Sequence, residues 1–182
     1  MNTGGLYGYC GSPSNGPVGI AMPKIDSRSF RRWFGGFATG VTVVTAKGRA
    51  GERSGITINS LTSVSLEPPL VLFCIVRSAH VYPALRRASH FAVNILSDGQ
   101  EYLSRYFADP RHHAVPDNIW DRERKACPIL RHTLGWMICR RTAIHKGGDH
   151  DIIIGQTIAL HRRSGNLKPL LYFHGRYRKI AE

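Results

Sequence analysis

The chain has 182 residues, 42% of them hydrophobic, and a formal net charge of +13. That length supports one domain with a real core, and the longest apolar run, Leu70–Val76, is far too short to cross a bilayer. The basic residues are scattered in small groups, from Arg31-Arg32 to Arg176–Lys179, without zinc-finger spacing, a heptad-linked basic helix or an RNP-like motif. The expectation is therefore a solvated basic surface that attracts phosphate-bearing small molecules, with no nucleic acid and no membrane among its partners.

Residues 1–24 read as a flexible leader and 25–182 as the folded domain. Met1–Met22 is rich in Gly, Ser and Pro and lacks the basic start and apolar block of a signal peptide. Phe30, Trp33, Phe34 and Phe37 recur at helical spacing behind a capping Ser27, which predicts a helix over Ser27–Phe37. Thr39–Ala46 is β-branched and reads as a strand, followed by a glycine-bearing turn at Lys47–Arg53. Ser54–Ile58, Thr62–Leu66 and Leu70–Val76 are expected strands. His80–Ala88 carries Pro83 in the first turn of an expected helix. Phe91–Leu96 is an expected strand, and Asp98 is placed to cap a helix through Phe107. Asp109–Cys127 reads as a polar surface excursion. Leu134–Lys146 and Asp149–His161 are long and β-rich around a turn at Gly147-Gly148, and Leu170–Ile180 follows.

These elements amount to roughly eight strands and three short helices. The strands are not separated regularly by long helices, which argues against a doubly wound parallel sheet. A mostly antiparallel closed β-barrel fits better, because closure removes exposed strand edges.

Cys10, Cys74, Cys127 and Cys139 form no CxxC pair. Cys74 and Cys139, in apolar runs, are expected as buried free thiols, which fits a reducing cytoplasm. The stretch 35–40 (GGFATG) is not GxGxxG and follows a helical segment, and there is no GxxxxGK[ST], GxSxG or HExxH. His112-His113 reads as a solvated loop. His145 and His150 flank a glycine turn without an evident third metal ligand, and Asp149 and Asp151 read as turn and strand-end residues. Trp33, Phe34, Trp120 and Trp136 are expected in the core or in an interface.

What remains is Ser54–Val76, SGITINSLTSVSLEPPLVLFCIV. It is a short strand, a row of small hydroxyl and amide side chains, a double proline and an apolar strand. Small residues let a flat ring approach the backbone, and hydroxyls and backbone N–H groups can bind phosphate.

Four ordered blocks, Gly36–Ala46, Ser54–Leu70, His90–Leu96 and Gly148–Gly155, together with the tail Pro169–Tyr177, resemble the flavin reductase-like family with the FMN-binding split-barrel fold. More narrowly, they resemble the reductase components of two-component flavin-dependent monooxygenases. The resemblance covers about Ser27–Ile180. It implies a homodimeric Greek-key split barrel that uses NADH or NADPH to reduce FMN or FAD and releases the reduced flavin to a separate monooxygenase. Hydride transfer between stacked rings needs positioning and excluded water more than a strong acid or base, so the missing triad is consistent with it.

The resemblance also implies roles for residues. Thr57, Asn59, Ser60, Leu61, Thr62 and Ser63 match the segment that runs along the flavin. Thr39, Gly40 and Val41 match a strand start beside the ring and the incoming nicotinamide. Arg77, Ser78 and His80 fall where the family binds phosphate. His150 matches a position facing the nicotinamide, and Arg176 and Tyr177 match a C-terminal block near the same pocket. A flavin-binding redox carrier or sensor on the same fold is the alternative, since it needs the same pocket.

Overall fold

The computed structural model describes residues 24–111, 116–121 and 127–180. The leader, Cys10, His112-His113 and the basic cluster at 122–125 lie outside them. Helix α1 spans Ser27–Phe34. Its cap is Asp26 rather than Ser27: Asp26 Oδ1 accepts from the Arg28 and Ser29 amides at 2.9 and 3.0 Å. The helix stops three residues short of Phe37 because Gly35 and Gly36 follow.

The expected strand 39–46 is two strands in two sheets. Strand β1 (Thr39–Gly40) joins a small antiparallel sheet, and β2 (Thr42–Lys47) joins a larger one. Val41 is the crossing point, its amide bonded to Leu170 O and its carbonyl to the Leu96 amide. Strands β3 (Arg53–Ile58), β4 (Thr62–Leu66) and β5 (Pro69–Val76) follow, then helix α2 (Tyr82–Arg87) and strand β6 (His90–Ile95).

Helix α3 (Glu101–Ala108) is entered through a 3-10 turn at Asp98–Gln100. Ser97, not Asp98, caps that turn, in a reciprocal capping box with Gln100, which itself occupies the N-cap position of α3. The long strands β7 (Gly135–Gly147) and β8 (His150–Arg162) form a hairpin whose turn is Gly148-Asp149, one residue later than expected. Gly148 holds φ +64°, the left-handed conformation that this two-residue turn requires. The last expected strand is also a hairpin, β9 (Leu171–Phe173) and β10 (Arg176–Arg178), turned by His174 and Gly175 at φ +50° and +72°.

The fold is mostly β with a few short helices. The large sheet runs β3-β2-β6-β7-β8-β5-β4 and the small one β1-β9-β10, with every pairing antiparallel. Its two edges, β3 and β4, are consecutive in sequence and joined by residues 59–61. One core cluster gathers Val44, Phe73, Ile75, Phe91, Val93 and Ile153 between these strands. A second packs Val41, Leu103, Phe107, Trp120, Leu130 and Leu170 beneath α3.

The expected surface excursion is only partly on the surface. Trp120 is 1% exposed and Cys127 2%, and a bridge from Trp120 to Leu130 pins the segment. An indole offers enough apolar area to pull a polar segment into the core. Trp136 is also buried, whereas Trp33 is 75% exposed and Phe34 50%. Cys139 is a buried free thiol as expected, while Cys74 is half-buried.

Candidate functional site

A groove of about 1180 Å³ opens between the β2–β3 hairpin, the loop that leads into α2, and the end of α3. Its floor includes Ser54, Gly55 and Ile56, the start of the stretch singled out by sequence. Gly55 is there for packing. A Cβ on it would lie 2.8 Å from Phe107 Cε1 and 3.1 Å from Thr45 Cγ2, so only glycine lets α3 settle against β3.

The rim of the groove is basic. Lys47, Arg49, Arg53 and Arg87 line it, against Glu52 and Asp109. Glu52 turns back to the Ala50 amide at 2.9 Å, and Asp109 pairs with Arg111 at 2.6 Å. Arg53 is braced by Asp117 at 3.0 Å and sits over the Trp120 ring, 5.5 Å from its centroid. A concave surface with this balance suits a phosphate ester. Ser78 and His80 line the same groove, where the resemblance puts phosphate-binding groups.

Arg77 does not join them. Its Nη1 donates to His150 O and to Asp151 Oδ1, both at 3.2 Å, and its Nη2 donates to Gly148 O. Its backbone amide donates to Asp149 O at 3.1 Å. The guanidinium is spent on the β7–β8 turn, because that turn presents several acceptors at once. Asp151, only 4% exposed, also accepts from Tyr82 Oη at 2.6 Å. The Tyr82 hydrogen bond, aided by Arg77, holds the Asp151 carboxyl below its ordinary range, and the same bond raises the Tyr82 phenol.

His150 is half-buried on this turn. Its Nδ1 donates to Asp149 Oδ1 at 2.7 Å, which lowers the Asp149 carboxyl and leaves Nε2 as the other ring position.

The corner between β3 and β4 carries most of the remaining expected residues. Ser60 Oγ accepts from the Cys74 amide at 3.0 Å and donates to Cys74 O at 3.3 Å, tying the corner to β5. Leu61 packs on the first core cluster. Asn59, Thr62 and Ser63 are exposed. Their side chains are thus available, whereas Thr57 turns inward and donates to Ser104 O at 2.8 Å.

At this same end of β3, just before β2 starts opposite Ile58, Thr39 pairs with Tyr172 and Gly40 with Leu171. Thr39 Oγ1 is buried with no partner among the described residues, and a Cβ on Gly40 would meet nothing within 4 Å. A buried hydroxyl without a partner is a group that a polar ligand would complete, while the open space at Gly40 lies on the other face of the strand. Val41 does not contribute a side chain here; at 2% exposed it belongs to the second core. Arg176 is exposed on β10, and Tyr177 lies against Tyr172 with ring centroids 5.4 Å apart.

Sequence reasoning missed Ser104, Tyr82, Asp151 and the basic rim. The signal for Asp151 was there, as an acid beginning the apolar run Asp151–Ile154. Among the described residues no cluster of His, Cys, Asp and Glu could hold a metal ion. The basic lining of the groove fits a phosphate-bearing cofactor such as a flavin, whereas Thr39, Gly40, the Asn59–Ser63 corner, His150, Arg176 and Tyr177 do not line it.

Comparison with known proteins identifies the family. The flavin reductase-like domain model matches residues 34–181. An FMN reductase (NADH) of Agrobacterium fabrum is 41% identical over 156 residues, covering 86% of this chain and 87% of the relative. A probable flavin reductase of Rhizobium meliloti is 43% identical over 152 residues; the match covers 84% of this chain but only 48% of that longer relative. The reductase component of a 4-nitrophenol 4-monooxygenase/4-nitrocatechol 2-monooxygenase from Rhodococcus opacus is 35% identical, covering 86% of this chain and 82% of the relative. Among solved structures, the NADH:FAD oxidoreductase of Streptomyces globisporus in complex with NAD and FAD fragments aligns with a TM-score of 0.76 at 39% identity, covering 86% of this chain and 93% of the other. The chain belongs to the flavin reductase-like domain family.

Proposed function

We propose that this protein is an NADH- or NADPH-dependent flavin reductase that reduces FMN or FAD and supplies the reduced flavin to a separate monooxygenase. The observation that carries the reading is the basic groove floored by Ser54–Ile56, in a chain whose relatives are named flavin reductases and monooxygenase reductase components. A bound flavin supplies an acceptor for the nicotinamide hydride. The chain's own residues bind and orient. Ser78, His80 and the cationic rim would hold the phosphate end, and the Asn59–Ser63 corner would run along the ring. Thr39 and Gly40 form the adjoining wall, with Arg176 and Tyr177 beside it. His150, its Nδ1 taken by Asp149, would face the nicotinamide and have Nε2 left to hydrogen-bond it.

The homodimer and the cytoplasmic setting belong to the same proposal. Helix α1 buries none of its residues, and Phe30, Trp33 and Phe34 are all exposed on it. Leu66 is 91% exposed and Leu160 72%. Surfaces this apolar call for a partner, and a second copy of this chain is the proposed one. Closure of the large sheet into a Greek-key split barrel across the β3–β4 corner is proposed with it. No helix among the described residues is long and apolar enough to cross a membrane.

The deciding experiment mixes pure protein with NADH or NADPH and with FMN or FAD, and follows loss of reduced-nicotinamide absorbance. Flavin-dependent oxidation with at least one pair is expected; no turnover with any of the four would sink the reading.

A further inference from the structure

The loop from β5 into α2 faces two ways. Ser78, His80 and Pro83 line the groove. Arg77 and Tyr82, at the two ends of the same loop, reach away from it to the β7–β8 turn. They converge on one carboxylate: Tyr82 Oη lies 2.6 Å from Asp151 Oδ2, and Arg77 Nη1 lies 3.2 Å from Asp151 Oδ1. Arg77 adds bonds to the carbonyls of Gly148 and His150 and, through its amide, to that of Asp149. Every residue of the turn that carries His150 is thus bonded to the loop that walls the groove.

We propose that the Arg77–Asp151–Tyr82 cluster is a positioning latch, which fixes the His150 turn relative to the groove so that filling the groove also sets His150. This rests on the reading of His150 as the nicotinamide-facing residue. The physical case is that the carboxylate is buried, so its two donors cannot be replaced by water without loss. A buried carboxylate held by two donors from one loop fixes both position and angle, which a single contact does not. The three residues are positioning residues; none is offered as touching the reacting atoms.

The test uses Tyr82→Phe, which keeps the ring packed on the first core cluster and removes only the hydroxyl. With NADH and FMN, kcat is expected to fall about tenfold, the scale of one hydrogen bond to a charged group. The Kd for FMN, read by fluorescence quenching without nicotinamide, is expected to stay within about twofold. In a double-mutant cycle, Tyr82→Phe should slow the wild type but not His150→Ala. A normal kcat in Tyr82→Phe beside a slow His150→Ala overturns the latch alone, as does equal slowing on both backgrounds. A wild-type rate in His150→Ala overturns the His150 assignment and the latch with it. A readout independent of turnover is amide hydrogen exchange at residues 147–152. FMN should slow it in the wild type and not in Tyr82→Phe; equal protection in both, or none in the wild type, overturns the coupling.

Discussion

Ser104 Oγ lies 2.8 Å from Tyr177 Oη, joining α3 to the last hairpin of the chain. The same Ser104 accepts the Thr57 hydroxyl on its carbonyl, and Tyr177 rests against Tyr172, the strand partner of Thr39. Two expected site residues, Thr57 and Tyr177, therefore meet through one serine that is fully buried. Replacing Tyr177 with Phe is expected to cost about 1 kcal/mol, the usual net worth of a neutral hydrogen bond. Thermal melting checks it, and Ser104→Ala combined with Tyr177→Phe should cost less than the two changes summed.

Gly55→Ala tests the packing of α3 on β3. The new methyl would sit 2.8 Å from Phe107, whose ring is already edge-on to Trp120 at 6.1 Å and has little room to yield. A loss of about 1–3 kcal/mol is expected, or a drop of several degrees in Tm. A variant as stable as wild type would show that α3 can shift without penalty.

Arg87→Ala tests the basic groove. Removing one rim cation should raise the Kd for FMN about fivefold at low ionic strength, with the gap narrowing in about 0.5 M salt. Arg140, which pairs with Gln156 on the β7–β8 hairpin, serves as the control. Arg140→Ala should leave flavin binding unchanged. Riboflavin, which lacks the phosphate, should be indifferent to Arg87→Ala.

The pH dependence of stability should carry the signature of Asp151. Tyr82 and then Arg77 depress its carboxyl from the ordinary value of 3.8. The folded state therefore prefers the ionised form. Its contribution is fully present above 3.8 and is lost as pH falls through the lower folded value. Denaturant titrations between about pH 5 and pH 2 should show this acid loss in the wild type and less of it in Asp151→Asn, which no longer titrates.

Much of the fold is legible in the sequence because apolar periodicity and β-branched runs depend on neighbours within a few residues. Strands β4 and β5 and the β7–β8 hairpin fall within a residue or so of expectation. Local pattern fails where a distant partner decides. Thr39–Ala46 is one uniform run, yet Leu170 and Leu96 claim Val41 from opposite sides and divide it between two sheets. Trp120 lies in a polar stretch and is buried only because Phe107 and Leu130 leave it a place. The site divides the same way. Ser78 and His80 line the groove, while Arg77, close by in sequence, is drawn off by the acceptors of the Gly148-Asp149 turn.

The sequence by itself determined most of the elements, a glycine turn between the two long strands to within a residue, and the family through its ordered motifs, all properties of short stretches read in order. Only the tertiary structure decided which cations line the groove, that Asp151 is buried under Tyr82 and Arg77, and that Ser104 ties Thr57 to Tyr177. Those depend on strands pairing across tens of residues, and no local preference encodes which side chain will meet which once the sheet has formed.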